Sequence, residues 1–153
     1  MDKKQIRAQL WDSLELKTLW GQFLLTATVI FVLCVIRGLC NISFEAFWKA
    51  TGIICGVTLV PYLIFCTTRT LQIFHRPVDY FFCRANLCNP HSGFWRDSMY
   101  FSVLLEDPED HQKYFADTHA IFASRGFSRM EDYVNTTVTI AHNRKTGTTV
   151  VIG

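Results

Sequence analysis

The residues best suited to chemistry in this chain are cysteines and histidines between positions 75 and 91. Cys83, Cys88 and His91 follow one another with four and then two intervening residues, and His75 lies eight residues before Cys83. Thiolate and imidazole groups are the ligands that zinc prefers, in tetrahedral sets of four. Structural zinc sites usually pair their ligands closely, however, and this stretch has one such pair. A zinc site on Cys83, Cys88 and His91 is therefore the less favoured interpretation, and we expect no cofactor.

A hydrolytic site would need a nucleophile with a base within reach. The serines from Ser92 onward lie in no G-x-S-x-G or S-x-x-K pattern, and the chain has no H-E-x-x-H pattern. His111 and His119 fit solvated or capping positions. The segment Arg144 to Gly147 lacks the glycine-rich turn of a phosphate loop and fits a hairpin tip. We therefore predict a protein without catalytic residues.

The charge of the chain is mild, at +2 for 153 residues. A nucleic-acid-binding protein would present a strongly basic face, so nucleic acid is not an expected partner. The six cysteines show no regular disulfide framework, and we expect their thiols to be reduced.

Two uncharged apolar runs organise the chain. Thr18 to Ile36 and Ala50 to Thr68 each span 19 residues. Basic residues bracket both runs: Lys17, Arg37, Lys49 and Arg69. A helix of this length crosses the roughly 30 Å hydrocarbon core of a bilayer and satisfies its own backbone hydrogen bonds. The sequence thus predicts a transmembrane hairpin over residues 18–69, with spans 18–36 and 50–68 and the bilayer as a partner.

Small residues and a proline mark the second run. Gly52 and Gly56 stand four apart on one helix face, a spacing that allows a second helix to approach closely. Pro61 predicts a kink, because its ring removes a helical hydrogen bond. We predict Gly52, Gly56 and Pro61 as helix-packing positions, against the first span or a partner subunit, although chance spacing explains the glycines equally well.

Residues 1–17 predict a short amphipathic helix at the membrane surface before the first span, although binding to a partner helix would give the same pattern. Its apolar positions are Ile6, Leu10, Leu14 and Leu16. Trp11 and Trp20 suit positions at the membrane interface.

Residues 70–153 predict a small α+β domain with one helix on an antiparallel sheet of four or five strands. Strands are expected at Leu71 to Phe74, at Val78 to Cys83, and at Ser98 to Glu106, where apolar and polar residues alternate. Cys88 to Gly93 predicts a loop. A final hairpin is expected from Thr136 to Ala141 and Thr148 to Ile152.

The helix of this domain is predicted from Pro108 to Arg125. Asp107 provides a capping side chain, Pro108 suits the first helical position, and Gly126 suits a C-cap. Apolar residues follow at helical spacing: Tyr114, Phe115, Ile121 and Phe122.

The layout resembles subunit 2 of the eukaryotic signal peptidase complex, a non-catalytic accessory protein. The residues that carry the resemblance are Trp11-Asp12, Arg69 to Arg76, Met99 to Val103, Phe115, Ile121-Phe122 and Met130 to Tyr133. The resemblance implies an endoplasmic reticulum membrane protein beside a catalytic serine protease subunit. It also implies that this chain supports signal-peptide cleavage as a scaffold without a catalytic residue of its own.

Other assignments stay open. The layout is also similar to a small membrane subunit of an ion-channel complex in sperm, and it suits an accessory subunit of a respiratory complex in the mitochondrial inner membrane. All three share other membrane subunits as partners. A zinc-dependent membrane enzyme is the alternative of a different class.

Basic residues favour an orientation in which both ends of the chain are cytosolic. They are more numerous on the flanks of the hairpin than in its connecting loop, and positively charged flanks stay inside.

This orientation predicts that Asn135-Thr136-Thr137, a formal glycosylation triplet far from the spans, is unmodified. Glycosidase digestion of the protein from eukaryotic cells should leave its mobility unchanged, and Asn135→Gln should migrate with the wild type. A glycosidase-sensitive shift that is lost in Asn135→Gln would contradict the orientation. The triplet at Asn41, next to the membrane, is expected to be unused.

Overall fold

The chain forms a long helical hairpin joined to a small antiparallel sheet. The computed structural model describes residues 2–39, 44–92, 98–109, 111–122 and 134–152. The helical elements are α1 (Lys3–Trp11), α2 (Leu14–Leu39), α3 (Phe44–Ile54), a π-helical turn (Cys55–Leu59), α4 (Val60–Ile73) and a short 3₁₀ turn (Pro77–Asp79). The strands are β1 (Tyr80–Ser92), β2 (Ser98–Glu106), β3 (Lys113–Asp117), β4 (Ile121–Phe122), β5 (Thr137–Asn143) and β6 (Thr149–Ile152).

Two helical segments are long and apolar enough to cross a membrane by length and composition. The first is α2, Leu14–Leu39, and the second is Trp48–Ile73, which runs from α3 through the π-helical turn to the end of α4. They contain the predicted runs 18–36 and 50–68 and extend beyond them. Large apolar side chains are exposed along both helices, among them Leu24, Phe31, Leu33, Ile53, Val57 and Ile64. The core helix of a water-soluble domain would instead bury its apolar residues.

The predicted strand from Leu71 to Phe74 is wrong, because this stretch is the last turn of α4 and its C-cap. Extending an existing helix costs little once the helix is nucleated. The extension also buries Ile73, which is 2% exposed, against Tyr80 and Ala141 of the sheet. The following strand begins at Tyr80 rather than at Val78, since Pro77–Asp79 forms a 3₁₀ turn.

All strand pairs are antiparallel, in the order β3-β2-β1-β5-β6, and β4 also pairs with β2. The predicted strand Ser98 to Glu106 and the closing hairpin are confirmed. The predicted loop at Cys88 to Gly93 is wrong for its described residues, because β1 continues to Ser92. Asn89 and Pro90 form a bulge there, which accommodates a residue with positive φ and a proline without ending the strand.

Strand β1 is shared by the two halves of the sheet. Its first part, Tyr80 to Asn86, pairs with β5, and its second part, Leu87 to Ser92, pairs with β2. The sheet curls around a core that includes Leu87, Phe101, Val103, Leu105, Ile140 and Val151. The segment after β3 thereby reaches the opposite edge of the sheet, where the N–H of His119 donates to the carbonyl of Thr149 on β6 (2.9 Å).

The predicted helix from Pro108 to Arg125 is wrong where the structure describes it. Lys113–Asp117 and Ile121–Phe122 are strands, whereas Arg125 and Gly126 lie outside the described residues. The side chain of Asp107 does accept a backbone N–H, from Glu109 at 2.8 Å, but it does so in a tight turn between β2 and β3. Aspartate is favoured both at helix caps and in turns of this kind, so Asp107 alone does not distinguish a helix start from a turn.

Two hydrogen bonds from Arg144 fix this turn. Its Nε and Nη2 donate to the two carboxylate oxygens of Asp107 at 2.8 and 2.7 Å. Arg144 Nη1 also lies 2.6 Å from the carboxylate of Glu109. The guanidinium therefore joins the β2–β3 turn to the β5–β6 turn.

The amphipathic helix predicted near the N-terminus exists as α1, but its apolar face packs on protein. Ile6 and Leu10 contact the outer face of the sheet, in a cluster with Tyr80, Ala141 and Val150. This side of α1 is therefore covered by the domain rather than free for a bilayer. Trp11 is half exposed, with its ring centroid 5.1 Å from that of Phe74.

The start of α2 closes the curled sheet. Its first turns contact both β4 and β6, and Leu14 enters the core. Glu15 is 3% exposed, and its two carboxyl oxygens lie 2.8 and 3.0 Å from the N–H of Val151, which donates to them. Ser13 forms an isolated bridge with Ile152. The edge of β6 is thus covered by the residues that begin the first long helix.

Replacement of Glu15 tests this junction. We expect Glu15→Ala to lower the free energy of unfolding by about 1–3 kcal/mol, because the N–H of Val151 stays buried without an acceptor. Glu15→Gln retains one acceptor oxygen and should lower the free energy of unfolding by less than Glu15→Ala does. Thermal unfolding of the full chain in mild detergent, followed by circular dichroism, measures both. Glu45→Ala removes an exposed carboxylate paired with Lys49 and should change stability by less than about 0.5 kcal/mol. Equal losses at Glu15 and Glu45 would contradict this account.

The hydrogen bonds of Asp107 give a second prediction, on the pH dependence of stability. The N–H of Glu109 and the guanidinium of Arg144 lower the pKa of Asp107. The unfolded chain therefore binds the proton more readily, so this contribution is complete above about pH 4 and is lost as the pH falls through the folded pKa. The melting temperature of Asp107→Asn should lie furthest below that of the wild type at neutral pH, and the difference should shrink in acid. Arg144→Gln should reduce the pH dependence, and a difference that stays constant with pH would contradict the mechanism.

Candidate functional site: a polar groove at the base of the hairpin

A groove of about 740 Å³ lies where the end of α4 meets the sheet. This volume is within the roughly 300–1,000 Å³ typical of small-molecule sites. Three segments line it: Thr68, Arg69, Leu71, Gln72 and His75 from the second long helix and its end, Asp117, Thr118 and His119 after β3, and Thr146 to Thr149 from the β5–β6 hairpin. Most of these side chains are polar, so the groove suits a polar or charged ligand.

The helical wall of the groove follows from the period of α4. Thr68, Leu71 and Gln72 recur at spacings of three or four residues and therefore share a face, and His75 follows just after the helix ends. Arg69 lies beside them, with its guanidinium carbon 5.5 Å from the centre of the Phe65 ring. Its Nη1 donates to the Gln72 side-chain oxygen at 3.2 Å. These two contacts hold the guanidinium at the groove while its other N–H groups can bind a ligand.

The opposite wall is fixed by hydrogen bonds of the sheet. The Thr118 hydroxyl accepts the N–H of Phe101 at 3.0 Å, which holds the segment after β3 against β2. The adjacent His119 is anchored through its backbone to Thr149 (2.9 Å). Asp117 is exposed, and its Oδ1 accepts the hydroxyl of Ser102 at 2.8 Å.

Asn143 positions the third wall and connects it to the helix. Its side-chain oxygen accepts the N–H groups of Lys145 and Thr146, both at 3.0 Å, and so shapes the hairpin tip. Its side-chain nitrogen donates to the carbonyls of His75 and Arg76 at 3.2 and 3.1 Å. Asn143 is fully buried, so both sets of hydrogen bonds are shielded from water. The hairpin tip and the end of α4 are thereby held on either side of the groove.

The groove contains charges of both signs. Arg69 supplies a permanent positive charge, and Asp117 supplies a carboxylate. Burial and the nearby charge of Arg69 lower the pKa of His119. The imidazole is therefore held in its neutral form, in which it can both donate and accept a hydrogen bond.

The residues of the zinc hypothesis do not form one cluster. Cys83 packs against the core of the sheet, whereas Cys88 and His91 lie on its other face, next to Ser102 and Tyr100 across the strand pair. The His91 ring stacks on Tyr100 with centroids 5.0 Å apart. Within the described ranges, no three His, Cys, Asp or Glu side chains are placed to hold a metal ion.

The predicted packing residues face open space. A Cβ built at Gly52 or Gly56 would meet nothing within 4 Å among the described residues. Pro61 is the second residue of α4, just after the π-helical turn. At the end of that turn, the N–H of Val60 donates to the carbonyl of Cys55. The two long helices instead pack near their base, in a cluster around Leu19 and Cys66. Packing of the glycine face on a partner subunit stays a prediction.

Sequence reasoning did not identify the groove. The sequence predicts a solvated or capping position for His119, a hairpin tip at Thr146-Gly147, and the charged end of a span at Arg69. The position of Arg69 was the one useful signal, since it places a cation where the second apolar run ends. The other residues meet only because the sheet curls.

Comparison with known proteins adds no assignment. No protein-family model, curated protein or solved structure matches this chain. Its function is therefore inferred from the hairpin, the groove and the junction between helices and sheet.

Proposed function

We propose that this chain is a non-catalytic accessory subunit of a multi-subunit membrane complex. The observation that carries the proposal is the attachment of two long apolar helices to a compact domain through buried contacts. The hairpin inserts in the bilayer with both chain ends in the cytosol, and the domain lies next to the membrane surface. Its partners are lipid and the membrane helices of other subunits.

The base of the hairpin supports a scaffold role because both helices are tied to the sheet. Glu15 binds the edge strand β6 at the start of α2. At the end of α4, the hydroxyl of Tyr80 donates to the carbonyl of Ile73 at 2.8 Å. The Trp20 indole N–H donates to the Thr70 hydroxyl at 3.1 Å and links the two helices. A domain attached at two helices keeps one orientation relative to the spans, as a positioning subunit requires.

The open face around Gly52 and Gly56 supports a helix of another subunit as the partner. Two glycines four residues apart let helix backbones approach closely, and association in lipid depends on such packing. The π-helical turn Cys55–Leu59 and Pro61 lie next to this face, and features of both kinds commonly kink a helix.

Among membrane complexes, we propose the signal peptidase complex of the endoplasmic reticulum, where the chain would support signal-peptide cleavage. Support for this choice is the layout of amphipathic start, short-looped hairpin and small domain. An accessory subunit of a respiratory complex in the mitochondrial inner membrane, or of an ion-channel complex, is the alternative. These complexes differ in the subunits that would accompany the chain.

Purification of the tagged protein from its native membranes in gentle detergent, with quantitative mass spectrometry, tests the proposal. We expect catalytic and accessory signal peptidase subunits in fixed ratio to the chain. Gly52→Leu with Gly56→Leu should reduce this recovery about tenfold or more, because the side chains block close helix contact.

Gly21→Leu is the matched control, since it makes the same change on α2 at a glycine outside the pair. It should leave the recovery unchanged. Respiratory or channel subunits in fixed ratio would replace the signal peptidase assignment and keep the scaffold role. A chain that is recovered alone from intact membranes would overturn the accessory-subunit proposal.

A further inference from the structure

The groove lies where a lipid headgroup would meet the protein if the hairpin spans a bilayer. Arg69 directly follows the second apolar run, so it marks the level at which hydrocarbon gives way to headgroups. Leu71, at the same end of α4, lines the groove and is 66% exposed. The site thus has an apolar side chain at its edge and charged and hydroxyl groups inside it.

The arginine side of the groove fits a phosphate. A guanidinium presents several N–H donors in a planar fork that matches phosphate oxygens. Arg69 is oriented by Phe65 and Gln72 before any ligand binds, which reduces the entropy lost on binding. The neutral imidazole of His119 adds a donor that carries no charge.

The aspartate side of the groove fits an amine. Asp117 lines the same groove, and a carboxylate there would repel a ligand with negative charge alone. Its Oδ1 already accepts the Ser102 hydroxyl, which fixes the carboxylate and leaves acceptor capacity on both oxygens. In an amine-bearing phospholipid, the phosphate is attached to the glycerol and the ammonium lies beyond it. This order matches an arginine at the end of the span and a carboxylate on the domain.

We infer that the groove binds the headgroup of a phospholipid that carries both a phosphate and a primary amine, as in phosphatidylethanolamine. Arg69 binds the phosphate, Asp117 binds the ammonium, and Leu71 contacts the glycerol and the start of an acyl chain. This inference rests on the proposed insertion of the hairpin in a membrane. It goes beyond the scaffold role, because it gives the junction a ligand of its own.

Native mass spectrometry of the purified full chain in detergent, titrated with lipids that have identical acyl chains, tests the inference. We expect phosphatidylethanolamine to bind about tenfold more tightly than phosphatidylglycerol, because the latter leaves Asp117 without a partner. Diacylglycerol, which has no phosphate, should show no saturable binding. Equal affinity for the two phospholipids in the wild type would overturn the inference, and this comparison does not depend on any variant folding.

Variants separate the two charges. Arg69→Gln should weaken phosphatidylethanolamine binding about tenfold. Asp117→Asn should instead remove the preference for phosphatidylethanolamine over phosphatidylglycerol. Arg84→Gln is the matched control, since it removes the same charge from an exposed position that does not line the groove. An equal loss in Arg84→Gln and Arg69→Gln would show general charge attraction and contradict a site.

Two further measurements test separately whether the ligand is a lipid and whether the hairpin is inserted in the membrane. Soluble phosphoethanolamine should bind far more weakly than the lipid, and equal affinity would assign the groove to a soluble ligand rather than a lipid. Carbonate extraction of native membranes tests insertion separately. A chain that carbonate releases contradicts the proposed membrane role, whereas a retained chain without headgroup preference contradicts only the lipid site.

Discussion

The buried hydrogen bond between the side chain of Glu15 and the N–H of Val151 is the contact on which the rest of the structure depends. An edge strand has backbone groups without partners, and a buried one must find partners elsewhere. Glu15 supplies that partner for β6 from the first turn of α2. The same turn inserts Leu14 in the core, so the sheet and the first long helix cannot be separated without exposing both.

The curl of the sheet follows from this arrangement and from the shared strand β1. A strand that pairs with different partners along its length turns a corner and brings two halves of a sheet around one core. The bulge at Asn89 and Pro90 lies in the second half of β1. As a consequence, His119 meets β6 and the segment after β3 reaches the end of α4. The groove is therefore a product of sheet curvature, and Asn143 fixes two of its walls by binding both the hairpin tip and the chain that leaves α4.

These features support the proposed scaffold role. The apolar helices present their side chains outward, and their base is fixed to the sheet by buried polar contacts. The groove lies at this base, so a ligand bound there contacts both the helix and the sheet. Occupation of the groove would thus stabilise the orientation of the domain relative to the spans. The proposed lipid and scaffold roles would in this sense be coupled through one junction.

The sequence by itself determined the elements whose signal is local and strong. The two apolar runs predicted the long helices, the alternation from Ser98 to Glu106 predicted β2, and the turn residues after Asn143 predicted the final hairpin. Asp107 misled the prediction, because an aspartate that accepts a neighbouring N–H serves a turn as well as a helix cap. Only pairing with β2 and the bonds from Arg144 make that stretch a strand hairpin. Burial of Ile73 likewise made Leu71 to Phe74 helical. The tertiary structure alone decided that Glu15 meets β6 and that Arg69 and Asp117 line one groove, because those residues are distant in the chain and only the curled sheet brings them together.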